Sequence, residues 1–498
     1  MTGFDSYDVV VVGAGNAALT AALSAREHGA RVLILEKAPE HLRGGNSYFT
    51  AGGFRFPFTG TEEIAEVIPD LTEDERRTVD FGSYPQADFY DDLMRVTEGL
   101  ADQELVNTLV TRAKDTVMWM REQGVRWVPM YGRQAFKVEG RFKFWGGLVV
   151  EVVGGGEGLV ERLMAIAEGT GIEIRYDTKA SQLLLDKKGH INGLVVQDLA
   201  GFHEVSTKAV VLACGGFEAN SEMRTRYLGP GWELAKVRGT QYNTGDGIRM
   251  ALDIGAQPFG NWSGCHSVAW DYNAPPYGDR KVLDLFQKHS YPLGIIVDLD
   301  GSRFVDEGAD FRNYTYVKYG REILFRNRRA AFQIFDDKTK DLLRDEYRIP
   351  QVTMATADTI DELADRLDID REGLVSTVTE FNAAIQEGDF NPAVLDGKHT
   401  VGIDPPKSNW ALPIDTPPYL GYAVTCGITF TFGGLRIDGK ARVLSTEERV
   451  IPGLLAAGEL VGGLFYHNYP GGSGLMAGAV FGRIAGKSAA EYATQGAG

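Results

Sequence analysis

The residues best suited to chemistry at the start of this chain are glycines that bare backbone N–H groups and an acid one strand away from them. Tyr7-Asp8-Val9-Val10-Val11-Val12 reads as a buried strand running into Gly13-Ala14-Gly15-Asn16-Ala17-Ala18, and Leu33-Ile34-Leu35-Glu36 follows one βαβ unit later. Gly13 permits a tight turn, Gly15 lets the backbone approach a pyrophosphate, and Ala18 keeps the helix close to the sheet. A pyrophosphate would lie at the helix N-terminus, where free N–H groups and the helix dipole favour an anion. Glu36 is placed to accept hydrogen bonds from an adenosine ribose. The chemistry is dinucleotide binding.

Later segments decide which dinucleotide. Lys37 follows the acid, and Arg43-Gly44-Gly45-Asn46-Ser47 leads into Thr50-Ala51-Gly52-Gly53, too soon after the ribose acid for a plain NAD domain. At the far end, Gly453 to Gly458 reads as a short buried strand with Glu459 at its tip. Tyr469-Pro470-Gly471-Gly472-Ser473-Gly474 and a small-residue helix from Leu475 to Lys487 come next. Segments from both ends of the chain build one cofactor site, as in large FAD-binding folds. The helix starting near Ser473-Gly474 aims its N-terminal N–H groups at the charge of a reduced flavin.

These segments, with Asn243-Thr244-Gly245-Asp246-Gly247, Gly301-Ser302-Arg303-Phe304 and Gly458-Glu459, resemble the fumarate reductase/succinate dehydrogenase flavoprotein family along nearly the whole chain. Within that family, Arg303 to Tyr316 and Leu464 to Gly472 are most similar to FAD-dependent tricarballylate dehydrogenases. The resemblance implies an α/β chain in which a Rossmann-like FAD-binding domain carries an inserted α+β substrate-capping domain. FAD contacts are expected at Gly13, Gly15, Asn16, Ala17, Ala18, Glu36, Lys37, Gly44, Gly45, Asn46, Ser47, Ala51, Gly52 and Gly53. Further contacts are expected at Ala180, Ala213, Gly215, Gly216, Asn243, Gly245, Asp246, Gly458, Glu459, Gly472, Ser473, Gly474 and Leu475. The family's flavin-linked histidine falls at about Asn46, which cannot form that bond, so the FAD is expected to be non-covalent.

The family reaction moves a hydride between the flavin and a substrate carbon while a proton leaves or joins the neighbouring carbon. An adjacent carboxylate or ketone must be polarised for that proton to leave. By resemblance, His266 stands at a substrate-histidine position, and Arg312 lies near the arginine that donates the proton in fumarate reductases. The second substrate histidine is replaced by Phe430 and the carboxylate-clamping arginine by Tyr469, so two dicarboxylate anchors are missing. Tyr469-Pro470-Gly471 is instead similar to 3-ketosteroid dehydrogenases, whose tyrosine polarises a ring ketone. A phenol donates one hydrogen bond but does not neutralise a carboxylate as a guanidinium does. Catalytic candidates are therefore Tyr469, Arg312, His266, His467, and Tyr291 and Tyr314 from an aromatic wall that also holds Tyr316 and Tyr319.

The expected function is an FAD-dependent desaturase of a small carboxylate such as tricarballylate. The alternatives are a cyclic ketone or keto acid as substrate, or a flavoprotein subunit that serves as a partner in an electron-transfer complex. No C-x-x-C-H haem site is present, so electrons leave to oxygen, a quinone or a separate redox protein. A formal charge of −17 over 498 residues argues against nucleic-acid binding and against an anionic membrane surface. Met1 to Tyr7 lacks the regions of a signal peptide and no apolar run reaches membrane-span length, so a cytoplasmic protein is expected. Cys214, Cys265 and Cys426 form no C-x-x-C pair, and no cluster has metal-ligand spacing.

Stepping outward to the elements, residues 1–55 read as the βαβ start and residues 83–130 as helical. Leu159 to Gly169 reads as a helix, and Ile172 to Tyr176 and Ala180 to Leu185 as strands. Ile191 to Leu199 with His203 to Thr207 reads as a hairpin, and Ala209 to Leu212 as a return to the sheet. Ile295-Ile296-Val297 and Gln333-Ile334-Phe335 read as strands, Thr359 to Gln386 as mostly helical, and the proline-rich stretch Asp404 to Pro418 as a linker. The FAD-binding domain is drawn over residues 1–261 and 416–498, with the cap over 262–415.

Overall fold

The computed structural model describes residues 6–495. Residues 1–5 and 496–498, the outer ends of the FAD-binding domain drawn from sequence, lie outside the described residues. Four strands build the centre of the first sheet in the order Gly201–Leu212, Ser6–Val12, Val32–Leu35 and Glu173–Arg175. Ser6–Val12 pairs parallel with its neighbours on both sides, and Val450–Ala456 adds in parallel alongside Val210 to Leu212. Parallel strands covered on both faces need unbroken apolar runs. Val9 to Val12 and Leu33 to Leu35 supply them and are buried.

Sequence pattern separates a hairpin strand ending at Thr207 from a sheet strand beginning at Ala209. The structure joins them into one strand of 12 residues, Gly201–Leu212. Its first half pairs antiparallel with Ile191–Asp198 and its second half parallel with Ser6–Val12. The reason lies at the junction: Val205 and Thr207 point inward while Ser206 and Lys208 point outward, so the strand alternation never stops.

The first helix, Asn16–Glu27, packs against the last, Ser473–Gln495. Glycines every four residues on the last helix make that contact unusually close. A Cβ on Gly482 would lie 2.5 Å from the Ala17 carbonyl oxygen, and one on Gly486 would lie 2.1 Å from that of Ala21. The two ends of the chain are thereby locked together at the cofactor site.

A second sheet is organised around one strand of 13 residues, Tyr419–Thr431. It pairs with Lys236–Val237, Cys265–Asp271, Ala331–Phe335 and Met354–Ala357, and Ile295–Val297 extends it beyond Ala331–Phe335. Register puts His266 directly opposite Phe430, and a bulge next to this pair leaves Thr429 of the long strand without a partner in the ladder. The helix Tyr316–Leu324 lies on Cys265–Asp271, with Gly320 so close that a Cβ there would sit 2.4 Å from the Val268 nitrogen. That contact fixes where Tyr316 stands. The segment Asp404 to Pro418 contains no helix or strand.

Candidate active site

One cavity of about 1880 Å³, counting solvent at its mouth, runs from the first glycine turn to the second sheet. Its length, from the Gly13 turn and Glu36 to His266 and Arg312, spans what a dinucleotide and a substrate together would occupy. At the nucleotide end Gly13 adopts φ +107°, and a Cβ there would lie 2.5 Å from the Ala213 carbonyl oxygen. Only glycine fits that crossing of two strands. The first helix starts after Gly15, which offers no side-chain cap, and has no acid in its first turn; Ser47 Oγ accepts the Asn16 N–H at 2.9 Å, and the helix dipole favours an anion beside it. Asn16 donates from Nδ2 to the Leu475 carbonyl at 2.8 Å, tying the first helix to the last.

Glu36 is buried, and burial pushes its carboxyl above the ordinary range although the Ala38 N–H donates to it at 2.8 Å. Lys37 donates to Asp246 and to Thr244 Oγ1, each at 2.6 Å. Burial alone would raise the Asp246 carboxyl, but Lys37, Thr244 and Lys179 together hold it well below the usual carboxylate range. Glycine edges at Gly15, Gly45, Gly53, Gly215, Gly458, Gly472 and Gly474 bare backbone along the rest of the cavity. These features fit FAD.

Midway along, Asn46 is fully engaged. Its Nδ2 donates to Glu218 and to the Thr429 carbonyl, both at 2.6 Å, and its Oδ1 accepts from the Thr240 N–H at 2.9 Å. Glu218 also accepts from Asn243 at 2.6 Å and sits beside Glu459, whose Oε1 accepts from the Thr431 N–H at 2.9 Å. Burial and the neighbouring Glu459 push the Glu218 carboxyl well above its ordinary value, favouring its protonated form.

The substrate end is aromatic and cationic. His266 is packed edge-on among Tyr316, Phe430 and Tyr469, with ring centroids 4.9, 5.3 and 5.0 Å away. Neither of its ring nitrogens has a partner, and burial then Arg238 hold it well below the ordinary histidine value. Tyr469 and Tyr316 share a hydroxyl–hydroxyl hydrogen bond of 2.6 Å. Burial and Tyr316 raise the Tyr469 phenol well above its ordinary value. Arg312 donates to the Arg133 carbonyl at 2.9 Å and to His289 Nδ1 at 3.3 Å. Arg133 pairs with Asp284 at 2.9 Å, and Arg238 lies 3.7 Å from the same carboxylate. Among the described residues no carboxylate forms an ion pair with Arg312, and its Nε and that of Arg238 are unpartnered.

Of the expected catalytic residues, Tyr469, Arg312 and His266 line the cavity together. Tyr291, Tyr314 and His467 do not. Tyr291 bonds Thr315 at 2.7 Å behind the wall, and Tyr314 donates to Asp92 at 2.5 Å. His467 is exposed, with φ +59°. Tyr316, not its neighbours, reaches the site, because the helix that begins there is pressed onto Cys265–Asp271. Sequence reasoning also missed Arg133, Arg238 and His289. Gln287-Lys288-His289 and Lys236-Val237-Arg238 carry no motif, and only the second sheet brings them to His266.

Most of the expected FAD contacts line the cavity; Ala18, Gly44, Gly52, Gly216, Gly245 and Ser473 lie just behind it. Their smallness serves packing. A Cβ on Gly44 would meet Val160, and one on Gly216 would meet Glu459 and Thr431. Ser473 is buried and donates to the Pro470 carbonyl at 2.5 Å.

A family model described as "FAD binding domain" matches residues 8–475. The chain is 30% identical over 492 residues to a fumarate reductase (cytochrome) of Shewanella frigidimarina, covering 98% of this chain and 78% of that protein. It is 26% identical to a 3-oxosteroid 1-dehydrogenase of Mycobacterium tuberculosis, covering 98% of this chain and 99% of that protein. The fold is similar to the open conformation of a flavocytochrome c3 fumarate reductase, with TM-score 0.73, 26% identity, and coverage of 98% of this chain and 79% of that one. No helix among the described residues is long and apolar enough to cross a membrane. The chain belongs to the FAD-binding-domain family of the fumarate reductase flavoproteins, with ketosteroid dehydrogenase features, and is an FAD-dependent oxidoreductase acting on carbon–carbon bonds.

Proposed function

We propose that this enzyme desaturates a small carboxylate of the tricarballylate type, with the residues of 262–415 and the strand Tyr419–Thr431 covering a non-covalent FAD. The observation that carries this reading is the buried guanidinium of Arg312, which has no carboxylate partner and faces the cavity beside Arg133, Arg238 and two neutral histidines. Glu346 attracts Arg312 without forming an ion pair, and a buried cation so incompletely paired costs roughly several kcal/mol unless a ligand supplies a direct partner. Arg312 therefore clamps a substrate carboxylate. Tyr469 Oη donates a hydrogen bond to the activating oxygen of the substrate and accepts one from Tyr316 Oη, so two phenols share the developing negative charge. His266 orients the substrate through a ring nitrogen left free by the protein. Phe430 and Phe465 exclude water from the reacting carbons. Bound FAD supplies the hydride acceptor.

A cyclic keto acid is the second reading, favoured by the Tyr316–Tyr469 hydroxyl pair and the Phe430 and Phe465 walls, which suit a ring ketone. Anaerobic bleaching of the flavin tests both. Small polycarboxylates or 4-oxo cyclic acids should bleach it, and neutral steroid ketones should not. Rapid turnover of fumarate by the reduced enzyme would overturn the desaturase direction. If no acid or ketone bleaches the flavin without a partner protein, the electron-transfer subunit reading replaces this one. Acid precipitation should leave FAD in the supernatant, since Asn46 spends its amide on Glu218, Thr429 and Thr240.

A further inference from the structure

Behind Arg312 lies a second, smaller cavity, about 370 Å³ when space open to solvent is counted, that shares His289 and Arg312 with the main one and is lined also by Arg344, Trp145, Phe311 and Trp410. On the cavity lining the groups left without partners are donors, while the buried Glu346 Oε1, whose carboxylate attracts both Arg312 and Arg344, is an unpartnered acceptor nearby. His289 Nδ1 faces the Arg312 guanidinium, which can only donate, so Nδ1 is the acceptor and Nε2 carries the hydrogen. That Nε2 is buried and unpartnered. Trp145 Nε1 and Arg312 Nε, donors only, are unpartnered too. Arg344 is 8% exposed and donates to the Gly132 carbonyl at 3.2 Å, and among the described residues no carboxylate forms an ion pair with it. Burial and Arg312 hold its guanidinium well below the ordinary value.

Charge points the same way. Four guanidiniums, the buried Arg238, Arg312 and Arg344 and the half-buried Arg133, face the carboxylates of Asp284 and Glu346, with Glu151 pushed up to about 7 by its burial. With Glu151 partly ionised, the region holds roughly one to two uncompensated positive charges inside a chain whose net charge is −17. One substrate carboxylate at Arg312 satisfies one of them.

We infer that the small cavity is a second carboxylate subsite, in which an oxyanion is held by Arg344, His289 Nε2–H and Trp145 Nε1–H. This rests on the reading of Arg312 as a carboxylate clamp. The carboxylate is the second arm of the substrate or a separate small acid, and the two sources are separable by experiment.

The test uses the FAD-loaded enzyme, reading the perturbation of the oxidised flavin spectrum on titration with butanoate and with glutarate, the same chain with a carboxylate at the far end. If the arm belongs to the substrate, glutarate should bind at least tenfold more tightly than butanoate. Trp145→Phe, which removes one N–H and keeps the ring, should shrink that preference several-fold, and Arg344→Gln should abolish it while sparing butanoate. If the site takes a separate acid, the two should bind alike. Added acetate should then change butanoate affinity saturably in the wild type and not in Trp145→Phe or Arg344→Gln. Equal binding with no acetate effect, or a glutarate preference that survives both substitutions, would overturn the inference. Absence of flavin bleaching by every acid tested would instead count against the proposed function, because this binding readout needs no turnover.

Discussion

At the nucleotide end of the cavity, apart from Asn16 Oδ1 and Glu218 Oε2, polar side chains have partners within the protein: Lys37 with Asp246 and Thr244, Glu36 with the Ala38 N–H, Asn46 with three groups at once. At the substrate end, His266, His289, Arg238 and Arg312 keep ring or guanidinium nitrogens free of any partner. The first region recognises its ligand mainly with backbone and needs side chains that stay in place. The second withholds its side chains for a ligand and accepts the cost of burying them unsatisfied. A site built from backbone tolerates little change at glycine, whereas one built from side chains divides its work among several groups.

That contrast breaks first at Gly13. Gly13→Ala forces a Cβ to within 2.5 Å of the Ala213 carbonyl at a positive φ, where no flexible group yields. The variant should be purified with only traces of flavin, and wild-type flavin content would show that the turn is not a rigid element of the site. Next is Tyr469→Phe, which removes a donor to the activating oxygen and should lower turnover about a hundredfold or more, or ~2.7–4 kcal/mol of transition-state stabilisation, with FAD retained. A fall of less than fivefold would take Tyr469 out of the chemistry.

Arg312→Met should be milder if the arginine clamps a carboxylate. The apparent KM for acids should rise roughly ten- to a hundredfold, in line with ~1.5–3 kcal/mol for a hydrogen bond to a charged group, while neutral ketones are unaffected. Equal losses for both classes would favour a proton-transfer role. The smallest effect is at Glu218. Its folded carboxyl binds a proton more tightly than the ordinary value of 4.5, so above that pH the unfolded chain loses its proton first and wild-type stability falls as pH rises. Glu218→Gln has no proton to lose and keeps an acceptor for Asn46 and Asn243. Its unfolding free energy relative to wild type should climb with pH above 4.5, the slope bounded by about 1.4 kcal/mol per pH unit. A flat difference would mean that Glu218 is ionised beside Glu459.

The nucleotide end was legible from the sequence because its determinants are local. Glycine spacing, a valine run and an acid at a strand tip set the first turn within a few residues, and a glycine every fourth position let the last helix close on the first. His266, Arg312 and Tyr469 were legible only through resemblance to a family. Tertiary structure decided the rest. Choosing Tyr316 over Tyr291 and Tyr314 required the contact of its helix with Cys265–Asp271. Arg133, Arg238 and His289 come from three unrelated segments without any motif and meet only once Tyr419–Thr431 has paired with its neighbours. The chain's own residue types fixed that it would hold a dinucleotide, because backbone geometry is written in neighbouring residues. Which cations would stand unpaired around the substrate depended on long-range packing, which no local spacing encodes.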